Sequence, residues 1–138
     1  MKVVIDTCVW SLLLRRRQGA GLSDEEQRML ATLTDAIQDG RVAMLGPIRQ
    51  EVLSGIKEAA QFEKLRSALA AFEDEPLTTT YFEEAARLFN LCRQRGVECG
   101  ATDVLICAVA ARMKWEILTS DGGLKRCVDV LRDAGLMQ

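Results

Sequence analysis

The stretch Lys2-Val3-Val4-Ile5-Asp6-Thr7-Cys8-Val9-Trp10 decides the fold. Three consecutive β-branched residues closed by an acid predict a short strand buried on both faces, as in a parallel sheet. No hairpin signal follows it. The next segment, Trp10 to Arg17, reads as helix, and Gly19 and Gly21 mark a loop. Outward from there the alternation continues. Ser23-Asp24-Glu25-Glu26 has capping-box spacing and opens a long helix ending near Gly40. Val42 to Leu45 is a second short apolar run. Gly46-Pro47 starts another helix, with Pro47 at its first position and Ile48, Val52 and Ile56 along one face. A further helix is expected from Ala59 to Glu73, and a brief strand at Glu75-Pro76-Leu77. Thr80-x-x-Glu83 is expected to open a helix that stops at Gly96, its core face formed by Tyr81, Phe82 and Phe89. Thr102 is expected to cap a helix apolar nearly all round, Asp103 to Met113. Trp115 to Leu118 reads as a strand, and Leu124 to Ala134 as the last helix. Strands alternating with helices predict an α/β fold with a short, mostly parallel central sheet between helical layers.

The 138 residues match the length of one domain, taken as 1–138, and 49% of them are hydrophobic. The apolar stretch after Lys2 stops at Asp6, which argues against a signal peptide, and no run reaches membrane-spanning length, so the expected location is the cytoplasm. The chain has no histidine, which excludes imidazole bases and histidine metal ligands. Its five cysteines, 8, 92, 99, 107 and 127, form no CxxC pair and are odd in number. That argues against a disulfide framework and a structural zinc site, and favours small buried apolar thiols.

In an open α/β sheet the site lies beyond the carboxyl ends of the strands. Four acids fall there: Asp6, Glu51, Asp103 and Asp121. Taken singly, each has an ordinary structural role, such as closing a strand, capping a helix or facing solvent. Converging together they would repel one another unless a hard divalent ion with oxygen ligands, Mg²⁺ or Mn²⁺, sat among them.

The strand-one motif V-V-I-D-T-C-V-W, the central P-I-R-Q-E-V-L, then A-T-D-V-L-I-C-A-V-A and I-L-T-S-D resemble, in order, the four acidic motifs of the PIN-domain family. The nearest resemblance is to the VapC-type toxin ribonucleases of bacterial toxin–antitoxin pairs. The resemblance implies a three-layer α/β/α PIN-like fold. It implies a catalytic and metal-binding quartet of Asp6, Glu51, Asp103 and Asp121, with Thr7 and Thr119 as supporting hydroxyls. It implies Mg²⁺- or Mn²⁺-dependent cleavage of RNA, transfer RNA being one substrate class, and a homodimer neutralised by a small VapB-like antitoxin. Many members carry an aromatic residue shortly after the last acid, where this chain has Gly122-Gly123-Leu124.

The formal net charge of −2 argues against nucleic acid only at first sight. Setting the four acids aside leaves 16 acidic against 18 basic residues. Arg15-Arg16-Arg17 is the densest basic run; it would either grip an RNA backbone or form a solvated helix end. Trp10 and Leu12-Leu13-Leu14 suit a core or a dimer interface better than base stacking. Two other readings compete. A phosphatase of the HAD type needs a second Asp two residues after Asp6, where Cys8 stands. A catalytically silent PIN fold acting as a binding module keeps the architecture without turnover.

Overall fold

A computed structural model describes residues 1–14 and 21–138. Three strands form the sheet: β1 (Val3–Ile5), β2 (Val42–Ala43) and β3 (Glu116–Leu118). Their order is β2-β1-β3, and both pairings are parallel. Val3 pairs with Val42 on one side and Glu116 on the other; Ile5 pairs with Leu118. Val3, Val4 and Ile5 are all buried, as expected of a central strand covered on both faces.

Seven helices among the described residues complete the α/β/α layers: α1 (Thr7–Leu14), α2 (Asp24–Gln38), α3 (Gly46–Leu53), α4 (Ala59–Leu69), α5 (Thr79–Gln94), α6 (Ala101–Met113) and α7 (Gly122–Asp133). The Ser23/Glu26 capping box forms in both directions. Helix α6 is buried continuously from Val104 to Ala110, so its all-round apolar sequence matches its place inside the molecule. Trp10 is 1% exposed and meets Phe72 edge-on at 5.1 Å, so it is core.

Several boundaries differ from expectation. Glu75-Pro76-Leu77 is not a strand. A single parallel bridge joins Met44 and Asp74, with the Glu75 N–H donating to Met44 O at 2.8 Å. Pro76 has no N–H with which to continue such a ladder. Helix α3 stops at Leu53, before Ile56: the backbone turns extended at Ser54, and Gly55 follows at φ +83°. Helix α4 ends at Leu69 rather than Glu73. Thr78, not Thr80, is the N-cap of α5, and Gly100, not Thr102, that of α6. Phe82 is 52% exposed and lies off the core face, whereas Leu88, Ala85 and Cys92 are buried. Cys99 and Cys127 are joined in a disulfide across 28 residues, contrary to the expectation of isolated thiols; Cys8, Cys92 and Cys107 are free. Spacing along the chain could not show that pairing, because the two sulfurs meet only when α6 and α7 pack. The run Arg15-Arg16-Arg17 lies outside the described residues.

Candidate acidic site

The parallel sheet sends the carboxyl ends of all three strands to one edge. From β1 the chain reaches β2 on one side, then crosses to β3 on the other. Asp6, directly after β1, therefore stands at the switch point, where the crevice of an open α/β sheet forms.

Asp6 is 7% exposed, the one buried charged residue among those described. Its Oδ1 accepts from the Thr7 N–H at 2.8 Å, and its Oδ2 accepts from the Thr119 hydroxyl at 2.7 Å. Thr119 in turn accepts from the Asp121 N–H at 2.9 Å. On the other flank the Thr7 hydroxyl donates to Glu51 Oε2 at 2.8 Å. One continuous chain of hydrogen bonds thus links Glu51, Thr7, Asp6, Thr119 and Asp121. Both threonines act as donors to carboxylates, holding α3 and the turn after β3 in register with the end of β1.

Asp103 approaches from α6. It is the third residue of the helix, not the first, and its Oδ2 accepts from the Gly100 N–H at 3.3 Å. Burial raises its pKa most; the Gly100 N–H lowers it, and the charges of Asp6, Asp121 and Glu51 each raise it further. The other three acids thus all lie close enough to bear on Asp103. Asp121 is the N-cap of α7, its Oδ2 accepting from the Leu124 N–H at 2.8 Å. A Cβ at Gly123 would stand 3.1 Å from that same oxygen, so a bare backbone there lets the cap close.

Among the described residues none of the four carboxylates has an ion-pair partner. Nor do any three of them bring oxygens within 4.8 Å of one another; the one group of acids and thiols that does is Cys92, Cys99 and Cys127. The acids therefore line a crevice rather than close a cage. That donor set, all oxygen and uncompensated, fits a hard ion that keeps several of its own waters, as Mg²⁺ does.

Two residues at the site were not singled out from the sequence. Cys8 is half-buried; its thiol donates to Asp6 Oδ2 at 3.6 Å, and its sulfur accepts from the Ser120 N–H at 3.5 Å. Its place two residues after the strand-end acid was the available signal. Arg49 stands two residues before Glu51. It donates to Asp74 Oδ1 at 2.9 Å, to Leu69 O at 3.0 Å and to Phe72 O, pinning α3 against the end of α4. No local pattern marks it, since its partners lie 20 or more residues away.

These features define a class: an α/β domain whose parallel sheet gathers carboxylates at its topological switch. The PIN domain family model matches residues 3–129, and the chain belongs to that family. Members of it are generally metal-dependent nucleases. Among solved structures the chain is similar to FitAcB from Neisseria gonorrhoeae, with 21% identity, a TM-score of 0.71, and coverage of 92% of this chain and 93% of that one. No curated relative matches the sequence. No helix among the described residues is long and apolar enough to cross a membrane.

Proposed function

We propose that this protein is a Mg²⁺- or Mn²⁺-dependent endoribonuclease and the toxin of a toxin–antitoxin pair, with Asp6, Glu51, Asp103 and Asp121 as its catalytic and metal-binding residues. The observation that carries this reading is the gathering of the four acids, Glu51, Asp6 and Asp121 joined through the Thr7 and Thr119 hydrogen bonds and Asp103 near enough to feel their charges, with no cation paired to any of the four among the described residues. Like charges held together without compensation are what a nuclease site needs for a divalent cation. Asp6 and Asp103 would hold the ion, with Glu51 and Asp121 at its flanks. The ion supplies charge neutralisation for a phosphodiester and a more acidic bound water. The chain's own contribution is positional. Thr7 and Thr119 fix the Asp6 carboxylate, Thr7 also aims Glu51, and Glu51 is an exposed carboxylate placed to accept a proton from water.

The likeness of the four motifs to VapC-type toxins supports a homodimer and a small VapB-like antitoxin as partner. An antitoxin Arg reaching the four acids would supply the compensating charge in the ion's place. Incubation of the pure protein with labelled transfer RNA and Mg²⁺ or Mn²⁺ is expected to give discrete cleavage products that EDTA abolishes. Cleavage that survives chelation overturns the metal dependence. Expression of the chain alone is expected to arrest growth, with relief on co-expression of the small protein encoded beside it; unimpaired growth with abundant soluble protein counts against the toxin assignment.

A further inference from the structure

Away from the acidic crevice, the sulfurs of Cys92, Cys99 and Cys127 all lie within 4.8 Å of one another, and all three residues are buried. They come from three elements: the last turn of α5, the segment just before the Gly100 cap of α6, and the middle of α7. Two of them form the disulfide, and the third, Cys92, is a free thiol beside it. We propose that, once a dithiol or phosphine reductant has supplied two electrons and the Cys99–Cys127 bond has opened to two thiols, the three cysteines form a binding site for a thiophilic divalent d¹⁰ cation, Zn²⁺ in kind.

Thiolates bind such an ion at about 2.3 Å, which in a tetrahedral arrangement sets sulfurs about 3.8 Å apart. The triad already stands within side-chain rotation of that spacing. The Cα atoms of Cys99 and Cys127 are 6.3 Å apart, a separation that spans both a disulfide and a pair of ligands on one ion. The donors are all sulfur, and soft sulfur selects Zn²⁺ over Mg²⁺ or Ca²⁺. This separates the site chemically from the carboxylates near Asp103. Charge supports a divalent ion: three thiolates and M²⁺ leave one net negative charge, and the Arg95 guanidinium lies close enough to draw the Cys92 pKa down. Burial pushes that pKa up by more, so the Cys92 thiol resists ionisation until an ion is there to compensate it. Binding expels one proton from each thiol to solvent. The triad leaves one tetrahedral position to be filled from outside it.

Disulfide and metal are then mutually exclusive occupants of the same sulfurs. Either one ties the approach to α6, which carries Asp103, to α7, which Asp121 caps.

The test uses the full chain and Cd²⁺ as probe, with excess Mg²⁺ to occupy the carboxylates. Protein reduced by a phosphine is expected to bind one Cd²⁺ per chain, with an ultraviolet thiolate-to-metal band, and Zn²⁺ is expected to displace it. The same protein with Cys99–Cys127 oxidised is expected to show no band. Cys92→Ala is expected to weaken binding by at least about 100-fold, since one of three ligands is gone, whereas Cys8→Ala is expected to retain the band. Equal binding by the oxidised and reduced wild-type chains overturns the proposal without recourse to any variant. So does a band that persists at full affinity in Cys92→Ala.

Discussion

Thr119 is where the geometry of the acidic crevice and the stability of the fold meet most directly, so Thr119→Val is the most informative perturbation. Valine matches threonine in shape and β-branching and keeps the backbone after β3. It removes the hydroxyl that donates to Asp6 Oδ2 at 2.7 Å and accepts from the Asp121 N–H at 2.9 Å. The first is a hydrogen bond to a 7% exposed carboxylate, worth about 1.5–3 kcal/mol; the second is an ordinary one, worth about 0.5–1.5 kcal/mol. That Asp6 oxygen would keep only the Cys8 thiol, a weak donor, at 3.6 Å. The expected loss of stability in EDTA is therefore about 2–4.5 kcal/mol, read by urea denaturation followed by circular dichroism. Saturating Mn²⁺ is expected to recover part of that loss, because an ion on Asp6 compensates the same carboxylate that lost its donor. RNA cleavage is expected to fall as well, with Asp6 and Asp121 no longer held through a common hydroxyl. A loss below about 0.5 kcal/mol would refute the reasoning, because it would mean the Thr119 hydroxyl is not partnered in solution as it is in the structure.

Asp103→Asn is expected to lower RNA cleavage by at least about 100-fold in a single-turnover assay. The raised pKa of Asp103 means that the folded state resists its ionisation. Wild type therefore loses stability relative to the variant as pH rises from the unfolded carboxylate value through the raised folded one, and the two converge in stronger acid. Melting in EDTA across that range checks the sign, and a gap that widens towards acid contradicts it. Reduction of Cys99–Cys127 in metal-free buffer is expected to lower stability by about 3.6 kcal/mol, the loop-entropy value for its 28-residue separation. Unchanged denaturation midpoints with and without reductant argue against the bond. Arg49→Met is expected to cost about 2 kcal/mol, since two carbonyls and Asp74 lose their donor; cleavage measured at a temperature where the variant stays folded then reports how far α3 positions Glu51.

The architecture was legible in local chemistry along the chain. Val3-Val4-Ile5, β-branched and closed by Asp6, favours a short doubly buried strand, and the absence of hairpin signals implies mostly parallel pairing. Parallel pairing puts all strand ends on one side, so Asp6 and Asp121 had to share an edge. The four motifs, with Glu51 and Asp103 between those ends, were legible in order. Local cap chemistry was legible where the side chain itself bonds, as at Ser23 and Glu26, and illegible where backbone geometry decides, as at Gly100 and Thr78.

Tertiary structure alone decided what depends on distances between residues far apart in the chain. The Thr7–Glu51 and Thr119–Asp6 hydrogen bonds span 44 and 113 residues, and nothing local encodes a donor's choice of carboxylate. The Arg49 clamp follows from how α3 meets α4, and the exposure of Phe82 from how α5 packs on α6 and α7, not from periodicity. Most of all, an odd count of cysteines without a CxxC pair spoke against a cross-link or a thiolate cluster. Helices α5, α6 and α7 bring Cys92, Cys99 and Cys127 together all the same, because sulfur chemistry depends on separation in space and the spacing rule counts only separation along the chain.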